Sequence, residues 1–170
     1  MENVKLGTAM GDIFVVECRD KNGNLKWVDT IKNLVVTEGL NDVLDKYFKG
    51  SSYTAAHYMG LTDGTPSFQA GDTMSDHSGW TEVTAYDESA RPSVTWGTVS
   101  GGSVDNSANK ATFTVNADST TIGGLFLSTD STKGGTTGLL YGGGAFTGGD
   151  KTLSDGDTLS AQVTATATAS

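Results

Sequence analysis

The sequence predicts a mainly β fold: an antiparallel, jelly-roll-like β-sandwich with one amphipathic helix at about 37–49. Three observations predict it. Short runs alternate apolar and polar residues with period two and are separated by Gly, Asn, Asp and Ser clusters that favour turns. Strands do not alternate with helices as they do in a parallel α/β sheet. Only Ile31 to Gly50 shows helical spacing, with Leu40, Val43, Leu44, Tyr47 and Phe48 on one stripe. The 170 residues are read as a single domain, 1–170, with an N-terminal hairpin at 13–30 leading into the helix.

In chain order, Ile13 to Arg19 is β-rich, Asp20 to Asn24 turns around an Asn-Gly pair, and Leu25 to Thr30 returns. Trp27 and Leu25 share a face of the return strand. The helix has Thr37 as its expected cap, Glu38 in the first turn and Gly50 as the residue that ends it. Asp42 with Lys46 and Asp45 with Lys49 form acid-first pairs four residues apart. An apolar stripe on a lone helix has to be covered, so Leu44 is expected to be core and Asp45 solvated.

Residues 57–61 read as a short buried strand, and the polar stretch 62–79 as a surface loop. Trp80 to Tyr86 and Ser93 to Val99 are expected to be strands on either side of an ESARP corner. Ala111, Phe113 and Val115 alternate with threonines, and the run Ile122 to Leu127 is interrupted by Gly123 and Gly124, expected to form a bulge. Leu139 to Tyr141 and Ala145 to Phe146 sit among glycines. Last, Leu159, Ala161, Val163, Ala165, Ala167 and Ala169 share a face of small residues, which predicts a closely packed sheet or an edge paired with another subunit.

Composition narrows the partners. The formal charge is −9, and residues 51–128 hold 8 acids against 2 bases, which argues against nucleic acid. Leu, Ile, Val and Phe together make up about a fifth of the chain, close to the ~20% below which chains tend not to fold alone. Burial between copies would make up the shortfall, so a homo-oligomer is expected. Met1 to Met10 lacks the basic start and apolar core of a signal peptide, no run is long enough to span a bilayer, and Cys18 stands alone in an apolar run. Assembly in the cytoplasm fits these features, and a membrane partner is not expected.

Several residues invite a chemical reading. Asp63, Asp72, Asp76 and His77, followed by Glu82, Asp87 and Glu88, form an acidic stretch, with no Lys or Arg from 62 to 90. Oxygen ligands in such a loop suit calcium, but the spacing does not match a helix-flanked calcium loop, so solvated turn residues are expected and no metal. Asp155 and Asp157 around Gly156 read as turn residues. His57 and His77 are the only histidines, neither lies in a nucleophile motif, and Ser100, Ser107 and Ser119 are ordinary loop serines. Gly142 to Gly144 and Gly148 to Gly149 lack the lysine and helix of a phosphate loop, so turns and close sheet approach explain them better. Arg91, just before Pro92, is expected to pair with Asp87 or Glu88. No catalytic residue and no cofactor is expected.

Three stretches are familiar together: KNLVVTEGLNDVLDKYF at 32–48, AGDTMSDHSGWTEVTAYDESARPSVTWG at 70–97, and LFLSTDSTKGGTTGLLYGGGAF at 125–146 with SDGDTLSAQVTATA at 154–167. The set resembles a family of small structural proteins of tailed bacteriophages. The resemblance implies a non-enzymatic virion component, made in the host cytoplasm and present in multiple copies. The expected role is a capsid decoration or cement protein that binds the major capsid protein, as a homotrimer, and stabilises the head. The alternative is a tail or fibre component that binds a host-surface glycan.

Overall fold

The computed structural model describes residues 8–52 and 56–169. Most of the amino-terminal stretch read for a leader, and the side chain of Ala169, lie outside the described residues. Two antiparallel sheets face each other. One is built on β1 (Thr8–Arg19), which pairs with β2 (Leu25–Lys32) through the Asp20–Asn24 turn. In that turn the Asp20 carboxylate accepts from the amides of Asn22 and Asn24, and Gly23 takes φ +84°. The other sheet has the order β3 (Leu34–Val35), β10 (Leu140–Ala145), β9 (Gly124–Ser128), β4 (Tyr58–Thr62), β5 (Glu82–Val83). A small ribbon joins β8 (Thr120–Ile122) to β11 (Lys151–Leu153). The chain is thus a mainly β antiparallel sandwich with a single helix, as its periodicity predicts.

The Ala/Thr strand is central in its sheet, so of the two places its small residues predict it takes the closely packed one and not the edge. β12 (Thr158–Ala169) pairs along its whole length with β1, and its other side takes β7 (Ala111–Thr114) and β6 (Ser103–Asp105). Its small side chains suit this place. Leu159, Ala161 and Val163 are fully buried beside Phe14, Val16, Cys18 and Phe113, against Met59, Leu61, Leu125 and Leu127 of the facing sheet.

β9 is buried on both faces, which explains its unbroken apolar run. Leu125 and Leu127 point between the sheets, while Phe126 points outward into a second cluster with Val36, Met74, Trp80 and Leu140. Residues 62–79, expected at the surface, supply part of that cluster: Met74 is buried and Phe68 stacks on Trp80 with centroids 5.0 Å apart. The chain therefore has a third layer, and the extra burial offsets the low aliphatic content.

Other sequence expectations change for identifiable reasons. Of 80–86 only Glu82–Val83 forms a ladder, with Tyr86 making a single bridge to Val115, because Trp80 turns into the outer cluster. Residues 93–99 form no strand, and Ser93 makes a single bridge to Tyr58. Gly123 is no bulge but the point at which the chain leaves the β8 ribbon for the second sheet, with its amide bonded to the Thr62 carbonyl. Gly142 to Gly144 lie inside β10, where Phe68, Leu34 and Lys32 pack so close that a Cβ would collide. This is close approach, not a turn.

Candidate functional site

The helix α1 (Thr37–Phe48) lies against β10, and its orientation decides what the molecule presents. Its first residues are tied down without a side-chain cap. Val36, and not Thr37, holds the N-cap position, the Thr37 amide donates to the Ala70 carbonyl, and the Glu38 carboxylate accepts from the Leu140 amide at 3.0 Å. Gly39 is the buried residue of the helix, and a Cβ there would run into the Tyr141 carbonyl. With Gly39 set against the strand, its neighbour one turn on, Val43, packs on the main core.

The consequence is a correction to the expected helix stripe. Leu40, Leu44, Tyr47 and Phe48 face outward, with Leu44 at 54% exposure, Tyr47 at 80% and Phe48 at 75%. The two charge pairs form as expected, Asp45 with Lys49 at 2.8 Å and Asp42 with Lys46 at 3.9 Å, and Gly50 ends the helix with φ +70°. Beside the helix runs an open groove of about 910 Å³, with Leu44, Phe48 and Leu139 among its walls. Its carboxylates are those of Glu38, Asp42, Asp45 and Asp72, against the single ammonium of Lys49.

Of the acidic residues singled out in the sequence, Asp76 and Asp87 are exposed, as solvated turn residues are expected to be, while most of the others bond within the fold. Asp63 accepts from the Thr81 amide at 2.8 Å. Asp72, 7% exposed, accepts from the Gln69 amide and the Trp80 indole. The Asp76 amide is held by the Thr73 hydroxyl, and the His77 ring stacks on Trp80 at 3.6 Å with Nδ1 donating to the Trp80 carbonyl. Glu88 accepts from the Thr114 amide and hydroxyl, and Asp87 is exposed. Asp157 accepts from the Ser154 amide and the Lys26 ammonium, and the Asp155 amide donates to Asp118. Ser100, Ser107 and Ser119 are exposed loop residues. Among the described residues no three of His, Cys, Asp and Glu converge on a point that could hold a metal ion, and no helix is long and apolar enough to cross a membrane.

Arg91 pairs with neither Asp87 nor Glu88. Its fully buried guanidinium makes a two-pronged contact with Glu82, at 2.9 and 2.7 Å, and donates to the carbonyls of Asp130 and Gly135. It thereby fixes the start of the segment leading to Leu139, a wall of the groove. The buried Cys18 thiol is pushed up to about 11, chiefly by burial and further by Asp157.

A second recess, of about 440 Å³, has walls from both sheets and from α1. The perpendicular rings of Trp96, His57 and Tyr141 line it, with Tyr47 and the carboxylate of Asp12. Burial raises the Asp12 carboxyl, partly offset by Asn33, and lowers His57, so the ring is neutral at pH 7. The sequence drew attention to His57 but not to Asp12, Trp96 or Tyr141 as its neighbours. No local signal joins them, because they come from four separate segments.

No protein-family model, curated protein or solved structure matches the chain.

Proposed function

We propose that the protein is a non-enzymatic structural component of a tailed-phage virion, a capsid decoration or cement protein that docks on the outer shell. The observation that carries this reading is the outward apolar face of α1, with Leu40, Leu44, Tyr47 and Phe48 presented beside the acid-rimmed groove. An exposed apolar patch framed by charge marks a contact surface. The rim specifies the occupant by charge: a segment of the major capsid protein with apolar anchors flanked by Lys or Arg. Binding to the assembled shell alone would shift the shell's equilibrium toward assembly by mass action. Three copies around a local threefold axis, the homotrimer suggested by the sequence, would present three such faces at once and gain avidity.

The test is co-sedimentation of the protein with shells that lack it, followed by electron microscopy to locate the added density. A Leu44→Glu/Phe48→Glu double variant, altered only at exposed positions, is expected to remain folded and lose attachment. Added salt is expected to weaken the wild type as the rim charges are screened. Density on the tail and not the head would move the protein to the alternative role. Full attachment by the double variant would remove the helix face as the docking surface.

A further inference from the structure

The ring-lined recess has features that the sandwich does not need. Trp96 and His57 meet edge-on with centroids 5.7 Å apart at 82°, and His57 and Tyr141 with centroids 5.8 Å apart at 89°. Successive perpendicular rings make the corner of a box, and Tyr47, on the helix, lines the same recess as a fourth ring. The Trp96 indole donates to His57 Nδ1 at 3.2 Å. That bond takes up the only donor of the indole and places the imidazole proton on Nε2. The ring faces carry the negative part of the aromatic quadrupole, which attracts cations.

Charge in the recess points the same way. Asp12 is 4% exposed; one oxygen accepts from Asn33 Nδ2 at 2.8 Å, and no Lys or Arg among the described residues pairs with it. An ionised carboxylate this buried without a cation is unfavourable unless something supplies the charge. The one ammonium in the lining, Lys46, lies 3.9 Å from Asp42 and is matched by it. A volume of about 440 Å³ falls at the small end of the ~300–1,000 Å³ typical of small-molecule sites.

We infer that this recess binds a small organic cation, an alkylammonium or quaternary ammonium group, held among the rings of His57, Trp96 and Tyr141, with Tyr47 at its exposed mouth and Asp12 as its counter-ion. The inference does not depend on shell docking, because the site is complete within one chain.

The experiment titrates choline into the full chain, read by calorimetry and by tryptophan fluorescence. 3,3-Dimethylbutanol, the uncharged analogue of choline, and a neutral hexose are titrated in parallel. Saturable binding of choline, with the uncharged analogue weaker by about tenfold or more, is the expected result. Asp12→Asn keeps an acceptor for Asn33 while removing the charge, and is expected to lower choline affinity by about tenfold or more. Trp96→Leu should do the same. Should that variant fail to fold, Tyr47→Ala at an 80% exposed position carries the ring test, with an expected loss of about 2- to 10-fold. Equal affinity for the two isosteres, or choline binding unchanged by Asp12→Asn, would reduce the recess to an apolar cavity and overturn the inference. Binding of the hexose and not choline would overturn it in favour of a glycan site, and an absence of saturation with choline would overturn it outright.

Discussion

Replacing Arg91 with Met should be among the most damaging single substitutions in the chain. The guanidinium is fully buried and Glu82, its partner, is 8% exposed. Its four hydrogen bonds go to the two Glu82 oxygens and to the carbonyls of Asp130 and Gly135, and it lies 5.1 Å from the centre of the Phe126 ring. Met fills much of the same volume but leaves a carboxylate and two carbonyls without their donor. Breaking a buried pair from one side typically costs about 3–5 kcal/mol. The Glu82 carboxylate still accepts from the Gly134 amide, so about 3 kcal/mol is the better figure, still a large share of the ~5–15 kcal/mol of a typical domain. Urea unfolding followed by circular dichroism measures it. Adding Glu82→Gln should recover part of the loss, since the stranded charge is then gone, so the double variant should be clearly less destabilised than the two singles added together. Arg91→Lys should not rescue, because one ammonium cannot reproduce the fork and reach both carbonyls. A loss below about 1 kcal/mol, or strict additivity in the cycle, would refute the claim that this ion pair holds the 130–135 segment.

Leu44→Ala should cost less than about 1 kcal/mol in the same unfolding assay, because the side chain is 54% exposed and Ala favours helix, whereas Phe126→Ala should cost about 3–5 kcal/mol. Equal costs would put Leu44 in the core. Asp12→Asn should raise the melting temperature at pH 7, since burial holds the native carboxyl above its ordinary value of 3.8. Between that value and the raised one the native state takes up a proton that the unfolded chain does not, so wild-type stability gains as pH falls through that window and the advantage of the variant shrinks. Melts from pH 7 down to about 4 read this, and an advantage constant with pH would contradict it. Cys18, buried and with its thiol pushed up to about 11, should react with a disulfide reagent at pH 8 only as fast as the protein unfolds, and burst labelling of the native protein would show that the strand is more open than described.

The elements legible in the sequence are those whose partners are set by local pattern. The β1–β2 hairpin follows from an Asn-Gly turn between alternating strands, and the inward face of β12 follows from its strict alternation. Segments 80–86 and 93–99 carry the same residue types, yet only Glu82–Val83 joins a ladder. Strand propensity describes a side chain suited to a half-buried surface, and Trp80 finds such a surface on Phe126 and His77 instead of in a sheet. The Asp and Gly content of 62–79 predicts a surface loop. Asp72 accepts from the loop's own Gln69 amide and Asp63 from the Thr81 amide beside it, and Phe68 and Met74 pack inward, so the composition marks an ordered polar loop over an apolar floor.

The helix shows why the presented surface was harder to read than the fold. Its hydrophobic period identifies an apolar stripe but not the body that covers it. Gly39 settles the matter: it adds nothing to the period, yet its missing side chain lets the helix backbone reach the Tyr141 carbonyl, and that contact turns Leu44 and Phe48 away from the sandwich. The thin composition is accounted for within the chain by the outer cluster around Phe126, and the Ala/Thr strand already has neighbours on both sides. What is left for partners is the helix face and, on the outside of the first sheet, the exposed side chains of Ile13, Leu25 and Val28. The rim of carboxylates at the helix face disfavours a second copy of this acidic chain against that surface, so the copies of a trimer would meet elsewhere and leave the groove to a basic partner.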